Sequence, residues 1–403
     1  MIDFEQASAL VIDHLRQMVK RTEIRSLSDS VGFLLAEDIV ADTALPMFTN
    51  AAVDGIAVRF QQERSQWNII DEIVAGHFRP LVLRDDEAFM IMTGARVPDE
   101  ADTIIPIEDL HCASGIARLR QGSRYRSGMN VRRSGEDMPE GMVAIHSGTL
   151  ITPAVIPLLA ACGRTDVSMI APWNCAVLTT GDELIPHGDI PRIDAVRATN
   201  RPMLLSAITA SGLRAVDYGI IKDDPTDLSR MIDALYNDAT VDVIITTGGI
   251  SVGTKDLLAE VLQGAGADIV FRKVNMKPGK PVMFSMLHSK ERTIPVISLP
   301  GNPLSAYVTW RTLFSPFLSP VKRRRLTATM ESTYKKEDGK RHFLCGRLLY
   351  SATLGFPSVR ITGRQSSGNM TALASADCLI VIPESVTEMK EGVLVECIPI
   401  SPR

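Results

Sequence analysis

VDVIITTGGISVGTKD (residues 241–256), FRKVNMKPGKPVMF (271–284) and VISLPGNPLSAYVTW (296–310) share one grammar: an apolar, β-branched run, then glycine or proline punctuation with Ser, Thr, Asn or Lys. Such runs read as strands buried on both faces. The punctuation reads as loops leaving their carboxyl ends, where open α/β sheets place ligands. Three of these loops between Val241 and Pro303 predict an anion cradle.

In the first loop Thr246, Thr247, Gly248, Gly249, Ser251 and Gly253 supply hydroxyls and uncovered backbone N–H groups. A helix starting near Lys255 or Asp256 would add its positive end, which favours a phosphate or similar oxyanion. The loop lacks the GK[ST] order of a Walker motif and is not GxGxxG, and a tight βα turn is its structural alternative. In the second, Lys273, Lys277 and Lys280 stand close together with Pro278 and Pro281 stiffening the backbone; they suit a polyanion, or are solvated lysines. In the third, Asn302 caps a helix that begins at Pro303.

Outward from this stretch, strands and helices alternate from Asn174: CAVLTTGDEL, a helix after Asn200 and Pro202, LRAVDYGII, and a helix after Asp224-Pro225. A mostly parallel sheet with helices on both faces follows, ending in a long helix over 304–318. Upstream, Asp3 and Gln6 form a capping pattern before an amphipathic helix carrying Phe4, Ala7, Leu10, Val11, Leu15, Met18 and Val19. A short periodic segment over 24–40 follows. Residues 60–144 read as short strands of a small β domain, and Thr152-Pro153 as the start of a helix closed by Gly163. Beyond Leu326, alternating strands predict a small all-β barrel.

The chain has 403 residues, enough for several domains, and a net charge of −4, which does not suggest a general nucleic-acid or membrane-surface binder. Six cysteines are scattered without CxxC, and Cys162, Cys175, Cys345, Cys378 and Cys397, in apolar surroundings, read as reduced core residues of a cytosolic protein. No apolar stretch is long enough to span a bilayer, and the acidic N-terminus does not resemble a signal peptide. Asp182, Glu183, Asp223 and Asp224, with Asp242 at a strand start and Asp256 and Glu260 after the glycine loop, fall at or near strand ends of the central sheet. Asp224 before Pro225 is a helix cap. The others, beside a phosphate site, require a divalent cation between carboxylate and phosphate, and Mg²⁺ is the usual one.

TTGDEL (179–184), TTGGISVGTKD (246–256), KPGKP (277–281) and LPGNPLSA (299–306), in this order and spacing, resemble the molybdopterin molybdenumtransferase family, the MoeA-type enzymes related to the E domain of gephyrin. The resemblance covers nearly the whole chain. NAAVDGIAV (50–58) is similar to the family's N-S-A-M-D-G-Y-A-V, with Asp54 and Gly55 matching and Ala51, Val53 and Ile56 departing; a structural Asp-Gly turn is the alternative. Loss of a hydroxyl at Ala51 and an aromatic at Ile56 would alter pocket contacts. MTGARVP (92–98), RRSGED (132–137) and GRQSSG (363–368) also resemble family segments, RRSGED being otherwise an exposed charged turn.

The resemblance implies a multidomain α/β fold with a central doubly wound, mostly parallel sheet (the molybdopterin-binding fold), an inserted small β domain and a C-terminal β-barrel. The expected division is 1–26, an N-terminal helix packing on the central domain; 27–47 with 145–172, a first domain; 48–144, the insertion; 173–320, the central domain; and 321–403, the barrel. Asp54, Asp137, Glu183, Asp223 and Asp256 match catalytic acids, of which Asp54, Glu183 and Asp256 are metal ligands. Thr93, Arg132, Thr180 and Gly181 join Gly248, Gly249, Ser251, Gly253, Lys273, Lys277, Lys280, Pro300 and Pro303 as cofactor-binding residues. The implied reaction places molybdenum from molybdate on adenylylated molybdopterin, with Mg²⁺-dependent release of AMP, in a cytoplasmic homodimer whose first two domains reach the partner's central domain. Molybdopterin adenylyltransferase and molybdoenzyme maturation proteins are the implied partners. The competing readings are an adenylyltransferase of the preceding step and a gephyrin-like scaffold.

Overall fold

The computed structural model describes all residues except 19, 77–81, 192, 250–256, 289–291, 321–323, 351–354 and 401–403. The chain forms two compact units, Ile24–Met169 and the remainder, Met1–Glu23 with Ile170–Arg403.

In the larger unit helix α1 (Phe4–Arg16) opens with the Asp3 carboxylate accepting from Gln6 N at 2.7 Å. Its apolar stripe, Phe4, Ala7, Val11 and Leu15, is buried in one core with Phe284, Phe314 and Phe343. This burial, more than helix propensity, stabilises a segment of thirteen residues.

The smaller unit holds a six-stranded mixed sheet built from β1 (Gly55–Val58), β2 (Gln66–Ile73), β3 (Glu87–Ile91), β4 (Thr103–Pro106), β5 (Leu110–Ala113) and β6 (Ile116–Leu119), in the order β4-β1-β3-β2-β6-β5. Gly55 is required where it stands, because a Cβ there would lie 2.0 Å from the Ile105 carbonyl oxygen. A separate core of Leu35, Ile39, Met138, Ile145, Ile151 and Met169 supports the rest of this unit. The segment after residue 26 is turns and short bridges rather than a regular periodic element. The helix expected from Thr152 begins at Ile156, since a helix starting at Pro153 would place Pro157 in its interior, where its missing N–H breaks the ladder.

The central sheet consists of β7 (Asn174–Thr180), β8 (Arg214–Ile221), β9 (Val243–Thr247), β10 (Ala267–Lys273), β12 (Pro281–His288) and β13 (Thr293–Leu299), with the two-residue strand β11 (Met276–Lys277) between β10 and β12. Its order is β8-β7-β9-β13-β12-β10. The first four run parallel and β12 runs against them. Helices α2 (Asn200–Thr209), α3 (Pro225–Asn237), α4 (Leu257–Gly264) and α5 (Pro303–Thr309) alternate with the strands. β9 is buried along its whole length, as its unbroken apolar run requires. After α5 the chain continues through a π turn at Trp310–Phe314 into Ser315–Leu318. The wide turn accommodates Pro316, which has no N–H to give to the preceding turn.

Strands β14 (Leu326–Met330), β15 (Arg341–Leu349), β16 (Ser358–Ile361), β17 (Cys378–Ile382) and β18 (Leu394–Pro399) close into a barrel, β17 returning to pair with β15. β11 adds to the barrel's edge, Lys277 standing opposite His342. Cys162, Cys175, Cys345, Cys378 and Cys397 are buried, Cys112 is exposed, and all are free thiols. No described helix is long and apolar enough to cross a membrane.

Candidate active site

The carboxyl ends of β7, β9 and β13 and the strap carrying β11 surround a cleft of about 1280 Å³, closed on one side by the barrel loops at Lys340 and Gln365–Gly368. Thr180, Glu183, Gly248, Lys277, Lys280, Pro300 and Pro303, all expected site residues, line it together. An acid and two lysines from distant parts of the sequence therefore face one space. Gly181 and Gly249 adjoin lining residues in the chain. Lys273 is not among the lining residues; it ends β10, exposed, with its carbonyl accepting from Ile2 N at 3.0 Å. Ser251, Gly253 and Asp256 lie outside the described residues, as does the start expected for the helix near Lys255.

The loops owe their shape to close approaches of backbone. Gly248, at φ +92°, has no room for a Cβ, which would sit 2.1 Å from the Thr180 carbonyl oxygen. Two successive residues with positive φ, Gly248 and Gly249, turn the chain sharply at the end of β9. Asn302 occupies the cap position of α5, but its side chain makes no cap bond. Its amide instead donates to the Ser367 hydroxyl at 3.1 Å and ties the sheet loop to the barrel loop.

Glu183 lines the cleft, and two further acids stand near it, the Asp182 carboxylate accepting from Asp223 N at 3.1 Å. Asp223 is exposed. Loss of hydration, then the charges of Asp182 and Glu183, push its carboxyl above the usual range, and the nearby Thr180 hydroxyl offsets part of this. Of the remaining described acids, Asp224 and Asp242 have structural partners. Asp224 caps α3 through Thr226 N and Asp227 N, Glu260 lies on α4, and Asp242, at the amino end of β9, pairs with Arg21 at 2.5 Å. Among the described residues no group of three or more His, Cys, Asp or Glu is arranged to hold a metal ion.

In the smaller unit three expected segments come together. Gly94 N donates to the Ala51 carbonyl, Ala51 N to that of Ala95, and Ala52 N to that of Asn130. The Asp54 carboxylate accepts from Thr93 N at 2.6 Å and from its hydroxyl at 2.7 Å, and these two bonds hold it below the usual carboxylate range. Arg132 bonds both Asp137 and, at 3.0 Å, Glu136. Ala51 and Ile56 are fully buried in apolar clusters, so their departures from the family pattern are changes of core packing, not of pocket contacts.

Residues 2–163 match the model of the MoeA N-terminal region (domain I and II), 176–320 that of a probable molybdopterin binding domain, and 327–400 that of the MoeA C-terminal region (domain IV). Molybdopterin molybdenumtransferase 2 of Mycobacterium tuberculosis is 32% identical over 385 residues, 91% of this chain and 92% of that protein. The chain belongs to the molybdopterin molybdenumtransferase family. The relative from Haemophilus influenzae is 29% identical with 97% of each chain covered. The solved molybdopterin biosynthesis moea protein from Pyrococcus horikosii superposes with a TM-score of 0.79 at 25% identity, covering all of both chains.

Within the fold of this family, four cleft residues carried too little signal in the sequence. Asn200 read only as a helix start, yet it is buried and its amide donates to Thr247 Oγ1 at 2.8 Å and to Gly301 O at 2.7 Å. Lys340 sits in one of the Lys- and Glu-bearing turns between barrel strands. Ser367 lies in the GRQSSG segment, with no local feature that marks it as a contact. Asn302 stands at the cap position of α5 but makes no cap bond.

Proposed function

We propose that this molybdenum cofactor biosynthesis protein transfers molybdenum from molybdate to adenylylated molybdopterin, releasing AMP in a Mg²⁺-dependent step, as a cytoplasmic homodimer. The observation that carries the reading is the meeting of Glu183 with Lys277 and Lys280 on one cleft. A ligand bearing both phosphates and an oxyanion satisfies the lysines. The acids beside it need a cation.

The rim fits magnesium in this respect: Asp223 is made more basic by burial and by Asp182 and Glu183, a strain of like charges that a divalent ion relieves. Mg²⁺ needs only one or two carboxylates when substrate oxygens and water complete its shell, so a preformed cage is unnecessary. Glu183 would hold it, with Asp54 and Asp256 as the other proposed ligands. When bound, it would polarise the pyrophosphate as a Lewis acid.

The chain's own part is to bind, orient and neutralise. Backbone N–H groups at the Gly248-Gly249 turn receive phosphate oxygens. Lys277 and Lys280 neutralise the anions, with Lys273 assigned a supporting role in the same charge field. Asn200 fixes the distance between the Thr247 and Gly301 loops, so the substrate meets donors already in place. Thr93, Arg132 and Asp137 are proposed to serve the same reaction.

The test is incubation of purified protein with adenylylated molybdopterin, Mg²⁺ and either molybdate or tungstate, following AMP release and metal incorporation. Oxyanion-dependent AMP release supports the proposal. Consumption of ATP with free molybdopterin and no oxyanion would assign the adenylyltransferase step instead. No turnover together with stoichiometric capture of a partner would favour a scaffold.

A further inference from the structure

Lys277 and Lys340 reach the cleft from different domains, yet both ammonium groups point at a single oxygen. Asp338 Oδ2 lies 3.5 Å from Lys277 Nζ and 3.2 Å from Lys340 Nζ. The other oxygen of the same carboxylate, Oδ1, accepts from His342 Nε2 at 2.7 Å and from Lys340 N at 3.3 Å. His342 is itself buried, and its Nδ1 lies 2.8 Å from the Tyr334 hydroxyl.

The proton positions follow from these partners. Burial raises the Tyr334 phenol and the nearby Asp338 charge raises it further, so Tyr334 stays protonated and donates to Nδ1. The His342 proton is then on Nε2 and is given to Asp338; burial keeps the ring neutral against the pull of that carboxylate. Burial alone would raise Asp338, but the bonds from His342 and Lys340 outweigh it and hold the carboxyl well below its usual range. Asp338 is thus ionised and clamped on the barrel side, whereas the two lysines that face it sit on flexible stems.

We propose that Asp338 is a resident counter-anion of the cleft, a specificity-determining residue from which an incoming oxyanion must draw Lys277 and Lys340. This rests on the reading of the cleft as an anion site. Lys277 is 54% exposed, and an ion pair that open is weak, so a strongly charged ligand can take it over. A weakly charged anion gains too little from the same two ammoniums to displace a carboxylate that cannot leave. The arrangement sets a threshold for entry.

The sign of one measurement separates this role from simple positioning. If Asp338 only held the lysines in place, removing its charge would loosen them and weaken anion binding. If it competes for them, removing its charge strengthens binding. Titration calorimetry of inorganic molybdate into the full-length protein is expected to give Asp338→Asn an affinity about tenfold tighter than wild type, the loss of one charge-assisted competitor. Asp338→Glu, which restores the charge, is expected to return toward the wild-type value, and inorganic phosphate should compete with molybdate far better in Asp338→Asn. Lys277→Ala should bind more weakly. Thermal unfolding checks each variant, and Asp338→Ser replaces Asp338→Asn if the latter does not fold. Unchanged or weaker binding in the folded, uncharged variant, with the Lys277→Ala arm behaving as expected, overturns the counter-anion role alone. Absence of molybdate binding in wild type overturns the anion-site reading as well.

Discussion

The Asn200 side-chain amide donates to the Gly301 carbonyl at 2.7 Å from a position only 6% exposed. A second bond from the same nitrogen, to Thr247 Oγ1, links the loops after β9 and β13 through one residue of α2. Asn200→Ala would leave Gly301 and Thr247 without this donor, at a cost of about 1–3 kcal/mol. Asn200→Asp should be worse, because a carboxylate would face the Gly301 carbonyl. Thermal unfolding is expected to order the three as wild type, Ala, Asp, with molybdate affinity falling in the same order.

Gly248→Ala is expected to disable the cleft. The new methyl carbon would stand 2.1 Å from the Thr180 carbonyl oxygen, and backbone cannot swing aside as a long side chain can. Its φ of +92° adds a strain that L residues resist. Gly188 meets nothing within 4 Å and has no such φ, so Gly188→Ala serves as the control. The two variants should differ sharply in yield of folded protein and in oxyanion binding; similar behaviour would contradict the described packing.

The β-branched runs at Val243–Thr247 and Thr293–Leu299 disclosed buried parallel strands, because only burial on both faces tolerates such composition. Alternation with helices then disclosed the layering. The barrel was legible from strand length and spacing, whereas its closure, β17 returning to β15, is a long-range pairing with no local signature. Glu183, Lys277 and Lys280 could be nominated for the same reason that the loops could: each lies beside strand-end punctuation. Asn200, Lys340 and Ser367 could not, since their contacts depend on chain brought back from far away. The Asn302 cap failed for a related reason, a tertiary bond to Ser367 having replaced the local one. Asp242 stands at the start of its strand, as the sequence places it, and chain direction sets it apart from the acids at the carboxyl ends.

Asp223 supplies a pH-dependent prediction. Its carboxyl is raised by burial and by Asp182 and Glu183, so the folded state binds this proton more tightly than the unfolded chain. That contribution to stability is complete below the unfolded value near 3.8 and is lost as pH rises through the higher folded value. At neutral pH the ionised group is therefore unfavourable, and Asp223→Asn should raise the unfolding temperature of the ligand-free protein slightly, by the order of a degree or two given its exposure. The gain should vanish below the unfolded value. A destabilised Asp223→Asn at pH 7 would show that the three acids do not repel one another.

Asp54 presents the opposite case. Two bonds from one residue, Thr93 N and Thr93 Oγ1, converge on the same carboxylate oxygen and lower its pKa. Stability from this group is present above the unfolded value near 3.8 and is lost as pH falls through the lower folded one. Thr93→Val removes the hydroxyl and leaves the N–H, so carbon-detected NMR titration should find Asp54 moved part of the way back toward 3.8. Asp54→Asn keeps an oxygen for both Thr93 donors but carries no charge; the bend before β1 should persist, with circular dichroism and unfolding temperature near wild type. If Asp54 acts in metal transfer, AMP release should fall at least a hundredfold in Asp54→Asn, as for loss of a strongly stabilising electrostatic group, and only modestly in Thr93→Val. A folded Asp54→Asn with full turnover would confine Asp54 to the Asp-Gly turn, where its hydrogen bonds to Thr93 would then be its whole function.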